Sequence, residues 1–249
     1  MAYTTTSVSA IRFDHIAIAV PRIAEATPFL VGELGGVPAY GAPAGAYRFG
    51  QWRFDGGGRL EILEPLGEDG FLHRFLARHG PGIHHVTFRV PRLREACERA
   101  QAHGYTIVGY DDSNPHWKEA FLHPKQALGI VVQFAETARG GDGPPRWQPP
   151  PGPLDPPPPV TIVGLRLRAH VRDRSQTQWA SVLLGESRES ADGRLIYRWP
   201  GSPMRIAVEI DGSGEEGPIA VELGSHRPVS LPAGAHPLLG AVFTRCPAP

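Results

Sequence analysis

The feature that most constrains the fold of this chain is an internal repeat. The segment DHIAIAVPR at 14–22 returns 70 residues later as HHVTFRVPR at 84–92. Each copy places one histidine, His15 or His85, inside an apolar run that is rich in β-branched residues and ends at Val-Pro-Arg. A strand followed by a helix with proline in its first turn accounts for both copies. The repeat therefore predicts a duplicated supersecondary unit.

The residues that follow each copy predict the same order of elements. In the second copy, Leu93 and Cys97 fall at helical spacing, and three short strand candidates follow up to Phe134. The first copy has the same pattern, and an apolar-faced segment at about 69–78 predicts an extra helix between the copies. We therefore predict an α+β fold with two tandem βαβββ modules over 8–138.

Proline dominates the segment that follows the second copy. Ten of the 27 prolines lie between Pro144 and Pro159, and proline fixes φ and lacks a backbone donor. Such a stretch favours extended polyproline II over a helix or a central strand. We interpret 139–160 as a semi-rigid linker between structural units, with a docking segment for an SH3-like partner as the alternative.

A third, weaker copy of the repeat follows the linker. The alternating segment 163–169 resembles 13–19, and Leu165 stands where the other copies have a histidine. Strand candidates continue to 219–223. We predict that 161–249 forms a degenerate βαβββ module without the chemistry. Because two modules complete one cavity, the third has an exposed sheet edge, and such edges invite pairing. We therefore expect a homodimer.

The charge balance and the cysteine count exclude several classes of protein. Lys and Arg total 25 and balance 25 Asp and Glu to a formal net charge of zero, which is atypical of nucleic-acid or membrane-surface binders. No apolar run has the length of a membrane span, and the first residues lack the layout of a signal peptide. The two cysteines, Cys97 and Cys246, exclude a disulfide scaffold. We expect a cytoplasmic protein whose partner is a small molecule.

Four polar residues occupy equivalent places in the first two copies. A pseudo-twofold axis between duplicated modules would bring His15 and His85 toward one point. The last strand of each copy adds a polar residue between apolar neighbours, Glu61 in LEILE and Gln133 in VVQFAE, and a polar residue on an inward face requires a partner. Two histidines at matching positions favour a metal site, whereas a lone histidine in a strand is usually a core residue.

Two further glutamates also match between the copies. Glu64 and Glu136 end the same two strands, and their odd spacing from Glu61 and Gln133 places each on the opposite face of its strand. We expect both to be solvated strand ends.

Three separated motifs carry a resemblance to a known superfamily. They are LEILEPLG at 60–67, GIHHV at 82–86 and FLHPK at 121–125. In this order and at these distances they resemble the vicinal oxygen chelate superfamily, which contains glyoxalase I, methylmalonyl-CoA epimerase, extradiol dioxygenases and bleomycin-resistance proteins. The resemblance covers 11–137, and the motifs are most similar to those of methylmalonyl-CoA epimerase-like members.

The resemblance implies two side-by-side βαβββ modules whose mixed sheet curls around one divalent metal ion, of which Zn, Co, Mn, Ni and Fe are candidates. It implies the ligands His15, Glu61, His85 and Gln133, with His84 in a structural or supporting role. Such a site binds two vicinal oxygens of a substrate and stabilises an enolate as a proton leaves the adjacent carbon. Because Gln133 cannot take a proton, we assign Glu61 as the catalytic base.

The sequence departs from the epimerase pattern at two places. The family's ligand on the last strand of the second copy is usually glutamate, where this chain has Gln133. No carboxylate occurs between Glu33 and Asp55, where the epimerase carries an acidic residue. We predict isomerase or epimerase chemistry on an oxygenated small molecule or an acyl thioester. The alternatives are a glyoxalase-type lyase, a ring-cleaving dioxygenase and a non-catalytic binding or resistance protein.

A polar loop at 111–119 precedes a predicted strand, and in a fold of this kind such a loop can overhang the metal. His116 and Lys118 are our candidates for holding a carboxylate or thioester oxygen of the substrate. A solvated turn built from Asp, Asn and Pro is the alternative interpretation.

Overall fold

Two curled β-sheets with short helices form the structure, a computed structural model that describes residues 10–138 and 146–246. The fold is α+β, which confirms the prediction from the sequence. The outer ends of the two predicted units, 8–9 and 247–249, lie outside the described residues. Residues 139–145 of the predicted linker also lie outside them.

The first half of the chain repeats one order of elements. The first module consists of β1 (Arg12–Ala19), α1 (Ile23–Thr27, continued by a π-helical turn at Pro28–Glu33), β2 (Val37–Ala44), β3 (Tyr47–Arg53) and β4 (Arg59–Pro65). Helix α2 (Phe71–His79) leads to the second module. That module consists of β5 (Gly82–Arg89), α3 (Leu93–Ala102), β6 (Ile107–Asp111), β7 (Trp117–Leu122) and β8 (Val131–Thr137).

The two modules share one eight-stranded sheet with the order β2-β3-β4-β1-β5-β8-β7-β6. Strands β1 and β5 pair antiparallel at its centre, whereas β4 lies parallel to β1 and β8 lies parallel to β5. A pseudo-twofold axis therefore passes between β1 and β5, as the repeat predicts. The first and last strands of both modules meet at the centre of the sheet.

The carboxylates of Glu64 and Glu136 accept hydrogen bonds from the first backbone N–H groups of α1 and α3. The backbone N–H of Ile23 donates to Glu64 Oε2 at 2.6 Å, and that of Leu93 donates to Glu136 Oε2 at 2.7 Å. Such donors have no partner within their own helix, and a carboxylate is favourable at a helix N-terminus. The prediction of solvated strand ends is therefore wrong, since Glu64 is buried and Glu136 is half-buried.

The second half of the chain forms a six-stranded sheet. Its elements are β9 (Thr161–Ala169), α4 (Arg172–Gln176, continued by a π-helical turn at Thr177–Val182), β10 (Glu186–Glu189), β11 (Leu195–Arg198), β12 (Arg205–Ile210), β13 (Gly217–Gly224) and β14 (Phe243–Arg245). The order is β10-β11-β12-β9-β13-β14, so β9 to β12 form the third βαβββ module. The sequence missed β10, a short and fully exposed strand without an apolar pattern.

The predicted strand at 219–223 has a different place from the one expected. It belongs to β13, which pairs antiparallel with β9 on the side opposite β12. Strand β5 takes the same place beside β1 in the first sheet. The segment is therefore the start of a fourth, incomplete unit and not the last strand of the third module.

The central strands of the two sheets pair in the same register. This register shifts the alignment of the third copy with the first, made above from the sequence, by one residue. His15 pairs with Thr87 in the first sheet, and Gly164 pairs with Glu222 in the second, with bulges at equivalent places. Gly164 therefore matches His15. Leu165, which the sequence aligned with that histidine, lies in the core. A shift of one residue moves a side chain to the other face of its strand.

The described part of the proline-rich segment packs against the first module. The backbone N–H of Trp147 donates to Gly41 O at 3.0 Å, and the guanidinium of Arg48 lies 4.6 Å from the centre of the Trp147 ring. Farther along, the N–H of Val160 donates to Leu34 O at 2.9 Å. These contacts anchor the segment along the first module and bring β9 next to it.

One apolar core lies between the two sheets. The ring of Trp199 is 6.1 Å from that of Phe13 and 4.7 Å from that of Phe88, and Trp179 is 6.0 Å from Phe88, measured between ring centroids. All four side chains are buried. Each sheet therefore has one face toward this shared core and the other face turned away from it.

The division into 8–138, 139–160 and 161–249 stays a prediction, as does the homodimer. Within 10–138 and 146–246, no helix is both long enough and apolar enough to cross a bilayer.

Candidate metal centre

Three side chains from three central strands meet on the outward face of the first sheet. His15 comes from β1, Glu61 from β4 and His85 from β5. Nε2 of His15 lies 3.5 Å from Glu61 Oε1, and Nε2 of His85 lies 3.8 Å from the same oxygen. One ligand atom of each residue lies within 4.8 Å of the other two, and all three residues are buried. The structure thus brings the two predicted histidines and the predicted glutamate together.

A β-bulge accompanies each histidine. The pairing of β1 with β5 skips Asp14 and His84, and bulges re-aim the side chains beside them. Asp14 Oδ2 lies 2.9 Å from His15 Nδ1, and His84 Nδ1 lies 3.0 Å from His85 Nδ1. Both contacts occupy Nδ1 and leave Nε2 facing Glu61. The carboxylate of Asp14 beside His15 is the kind of partner that metal-ligating histidines typically have. Asp14 is not among the site residues predicted from the sequence, although its position before His15 matches that of His84 before His85.

The two histidines differ in protonation. Burial alone would lower the pKa of His15, but the carboxylates of Glu61 and Asp14 outweigh burial and raise that pKa to about 9. Burial, together with the neighbouring His84 and His15, lowers the pKa of His85 well below its usual range. Burial would raise the pKa of Asp14, but its hydrogen bond to His15 and nearby positive charge hold that pKa well below its ordinary value. His85 is therefore neutral, with a lone pair available at Nε2.

Two amide–carboxylate pairs flank the three converging residues. Gln51 Nε2 on β3 donates to Glu61 Oε2 at 2.8 Å, and Gln133 Nε2 on β8 donates to Glu119 Oε2 on β7 at 2.8 Å. In the first module the glutamate of the pair lies on β4, the strand nearer the centre of the sheet. In the second module it lies on β7, the strand farther from the centre. Gln51 and Glu119 are not among the site residues predicted from the sequence. The available signal was a polar residue on the strand that has to pair with each predicted ligand strand.

Thr87 links Gln133 to His15. The Thr87 hydroxyl donates to Gln133 Oε1 at 2.5 Å, and its Oγ1 lies 2.9 Å from His15 Nε2. Both ends of the Gln133 amide therefore have partners within the sheet. The structure places Gln133 beside the converging residues, and its coordination of a metal ion stays a prediction.

The donor set fits a divalent metal ion. Among the described residues, His85 Nε2 is buried and finds no hydrogen-bond partner, although buried polar atoms nearly always have one. Two imidazole nitrogens and a carboxylate oxygen are common ligands of several divalent transition metals. An ion at the point where His15, Glu61 and His85 converge would give that nitrogen a partner.

A cavity of about 1060 Å³ opens over these residues. All four predicted ligands line it, and so does His116, one of the two predicted substrate-binding residues. Lys118 does not line it, because its Nζ pairs with Glu136 at 2.8 Å. Side chains alternate along a strand, so Trp117 and Glu119 face the cavity and Lys118 points to the other side of β7. The expectation that Lys118 holds the substrate is corrected accordingly.

Comparison with known proteins relates the first half of the chain to one superfamily. Residues 14–121 match the Glyoxalase/Bleomycin resistance protein/Dioxygenase superfamily. The uncharacterized protein YqjC of Bacillus subtilis is 30% identical over 128 residues, which are 50% of this chain and 91% of that protein. The ethylmalonyl-CoA/methylmalonyl-CoA epimerase of Cereibacter sphaeroides is 30% identical over 133 residues, which are 51% of this chain and 98% of that protein.

One solved structure resembles both halves of the chain. A mutant of 4-hydroxymandelate synthase from Streptomyces coelicolor superposes with a TM-score of 0.58, covering 87% of this chain and 71% of that one. The sequence identity is 15%, so the likeness concerns the fold alone. Its coverage extends well beyond the first sheet.

Proposed function

The chain belongs to the glyoxalase/bleomycin resistance protein/dioxygenase superfamily, and within it we propose a divalent-metal-dependent enzyme of the isomerase or epimerase type. The reaction is the removal and return of a proton at a carbon next to two vicinal oxygens of a small molecule or acyl thioester. The observation that carries the proposal is the convergence of His15, Glu61 and His85 on one point of a substrate-sized cavity. A protein that only sequesters its ligand does not need this set.

The residues of the site have two roles, which are to hold the metal ion and to transfer a proton. His15, His85 and Glu61 would hold the ion, so Glu61 has both roles. Asp14 and His84 fix the orientation of the two imidazole rings. The bound ion would supply Lewis acidity toward the two substrate oxygens and so acidify the neighbouring carbon. Glu61 accepts the proton, because it is a carboxylate at the floor of the cavity.

Tyr47 adds a hydrogen-bond donor to the cavity wall. Burial raises the pKa of its hydroxyl, and the neighbouring carboxylates of Glu61 and Glu119 raise it further. The hydroxyl therefore stays protonated at neutral pH and can donate to a substrate oxygen. Tyr47 is not among the site residues predicted from the sequence.

Metal analysis and proton exchange test the proposal together. Wild-type protein purified without chelator should hold about one equivalent of divalent metal. It should exchange the acidic C–H of a 2-substituted acyl thioester or a 2-hydroxy ketone with solvent deuterium. The Glu61→Gln variant should slow this exchange by about 10²- to 10⁴-fold and bind metal more weakly, since one negative ligand is lost. Wild-type protein that contains no metal and binds no added divalent ion would contradict the proposal and favour a sequestering protein.

Glu119→Gln is the matched control. Glu119 lies across the site from Glu61, where Gln133 and Trp117 both donate to its Oε2 at 2.8 and 2.7 Å. Its replacement removes a cavity carboxylate and leaves the proposed base, so exchange should stay within about 10-fold of wild type. Exchange that survives Glu61→Gln and is lost in Glu119→Gln would move the base to Glu119.

A further inference from the structure

One wall of the cavity consists of neighbouring aromatic rings from the first module and from helix α2 that follows it. The ring of Phe49 on β3 lies 5.7 Å from that of Tyr40 on β2 and 6.5 Å from that of Tyr47. The ring of Phe71, at the start of α2, lies 5.3 Å from Tyr47 and continues the wall. These centroid separations are those of mutually packed rings. The wall therefore offers a continuous aromatic surface beside the candidate metal centre.

The opposite wall comes from β7 and is aromatic as well. Phe121 pairs across the strands with Gln133, which places its ring next to the predicted ligands. Trp117 also lines the cavity, and its indole N–H donates to Glu119 Oε2 at 2.7 Å. This bond uses the polar atom of the Trp117 ring and holds the ring in place, so its remaining surface is apolar.

The cavity offers little to a phosphorylated ligand. Among the described residues that line it, Arg146 is the one Arg or Lys, whereas Glu61 and Glu119 are carboxylates. Phosphate groups are bound by arginine and lysine clusters, and carboxylates repel them. Phe49, Tyr47 and Phe121 are each half-buried and turn apolar surface toward the cavity. A ligand with an uncharged, flat and apolar body would cover that surface.

We infer that the substrate of this site carries an aromatic ring next to its pair of vicinal oxygens, and that Phe49 and Phe121 determine this specificity. The inference rests on the proposed function, because the two oxygens are placed at the converging ligands His15, Glu61 and His85. From that point the ring extends between the wall that contains Phe49 and the wall that contains Phe121.

A matched pair of hydroxamates tests the inference by binding alone. Benzohydroxamate and acetohydroxamate present the same two vicinal oxygens and differ in a phenyl or a methyl group. With metal-loaded protein in a titration calorimeter, benzohydroxamate should bind about 10-fold more tightly or better, because the phenyl ring buries more apolar surface. Phe49→Leu and Phe121→Leu should each reduce this preference by about 3-fold or more. Tyr110→Leu, which removes an exposed ring outside the cavity lining, should leave it unchanged.

The outcomes separate this inference from the proposed function. Equal affinities for the two hydroxamates would overturn the aromatic assignment and leave the metal centre in place. Propionyl-CoA is an acyl thioester without a free thiol that could ligate the metal. Its displacement of both hydroxamates at a lower concentration than either needs would overturn the aromatic assignment in favour of an acyl thioester. Failure of both hydroxamates to bind, in protein that also takes up no divalent metal, would remove the inference and the proposed function together. A preference that both leucine variants retain would exclude Phe49 and Phe121 as its source.

Discussion

The central strands of the two sheets pair in the same register and carry different side chains at four positions. The first sheet has His15, Glu61, His85 and Gln133, and the second has in the same order Gly164, Ala207, Ala220 and Thr244. Both pairs of central strands keep their two bulges at equivalent places. The bulges are therefore a property of the fold, and the side chains beside them decide whether a site forms.

The two sheets also satisfy their buried polar groups differently. At the position of Thr87, the second sheet has the fully buried Glu222, which forms ion pairs with Arg194 at 3.3 Å and Arg205 at 3.0 Å. A buried carboxylate with two cationic partners is balanced within the protein. In the first sheet, Nε2 of His85 has no hydrogen-bond partner within 10–138 and 146–246. The second sheet therefore closes this face with ion pairs, whereas the first sheet leaves it open to a ligand.

The largest effect that tests this comparison is on stability. Leu165→Ala should lower the free energy of unfolding by about 2–5 kcal/mol, because Leu165 is fully buried in the core. Ile16→Ala, at the matching position of the first sheet, should cost a similar amount. Urea unfolding monitored by circular dichroism measures both. Metal content should stay at the wild-type level in Leu165→Ala. If Leu165→Ala changed the metal content and left the free energy of unfolding unchanged, Leu165 and not Gly164 would be the match of His15, and the register described above would be contradicted.

The next effect is on metal affinity. His15→Ala and His85→Ala should each weaken metal binding on the order of 10- to 100-fold or more, since the loss of a direct ligand should cost at least as much as the loss of a group that orients one. Ala220→Ser changes the position that matches His85 in the second sheet and should have no effect. Competition with a chromogenic chelator gives the affinities. Wild-type affinity in both histidine variants would show that the two rings do not hold the ion.

The smallest expected effect concerns the residue that orients His15. Asp14→Asn keeps a hydrogen-bond acceptor beside His15 Nδ1 and removes the negative charge, so metal affinity should fall by about 10-fold. Asp14→Glu, which restores the charge, should recover part of the loss. Val163→Ala, at the matching bulge of the second sheet, should leave metal affinity unchanged. If wild type and Asp14→Asn bound metal with equal affinity, Asp14 would have no role in the metal site and would serve in its ion pair with Arg89.

The repeat made much of the first sheet predictable. Its two copies share a histidine, a Val-Pro-Arg ending and a polar residue on the last strand, and these local patterns located His15, His85, Glu61 and Gln133. The third copy lacks the histidine that anchored the first alignment. Without that anchor, alternation alone left the alignment one residue out, and Leu165 took the place of Gly164. A bulge inserts one residue into one strand of a pair, and the apolar pattern of a single strand does not locate it.

Partners across strands were the part that the sequence could not supply. Gln51 binds Glu61 and Glu119 binds Gln133 because β3 and β7 pair with particular registers, and register depends on turns and bulges along the whole sheet. The same pairing turns Lys118 away from the cavity. The polar loop predicted that Lys118 contacts the substrate. Because side chains alternate along β7, its neighbours Trp117 and Glu119 line the cavity instead.

The α+β class, the duplicated βαβββ modules and the candidate ligands could be predicted from the sequence, since each depends on local periodicity or on a direct repeat. The contacts of Asp14 and His84 with the two histidine rings became known from the tertiary structure. So did the hydrogen bonds that Glu64 and Glu136 accept from the first backbone N–H groups of two helices. The tertiary structure also showed that the second sheet keeps the same register without the ligands. These features depend on contacts between residues that are distant in sequence, and their energies come from desolvation and hydrogen bonding that exist only once the strands are assembled.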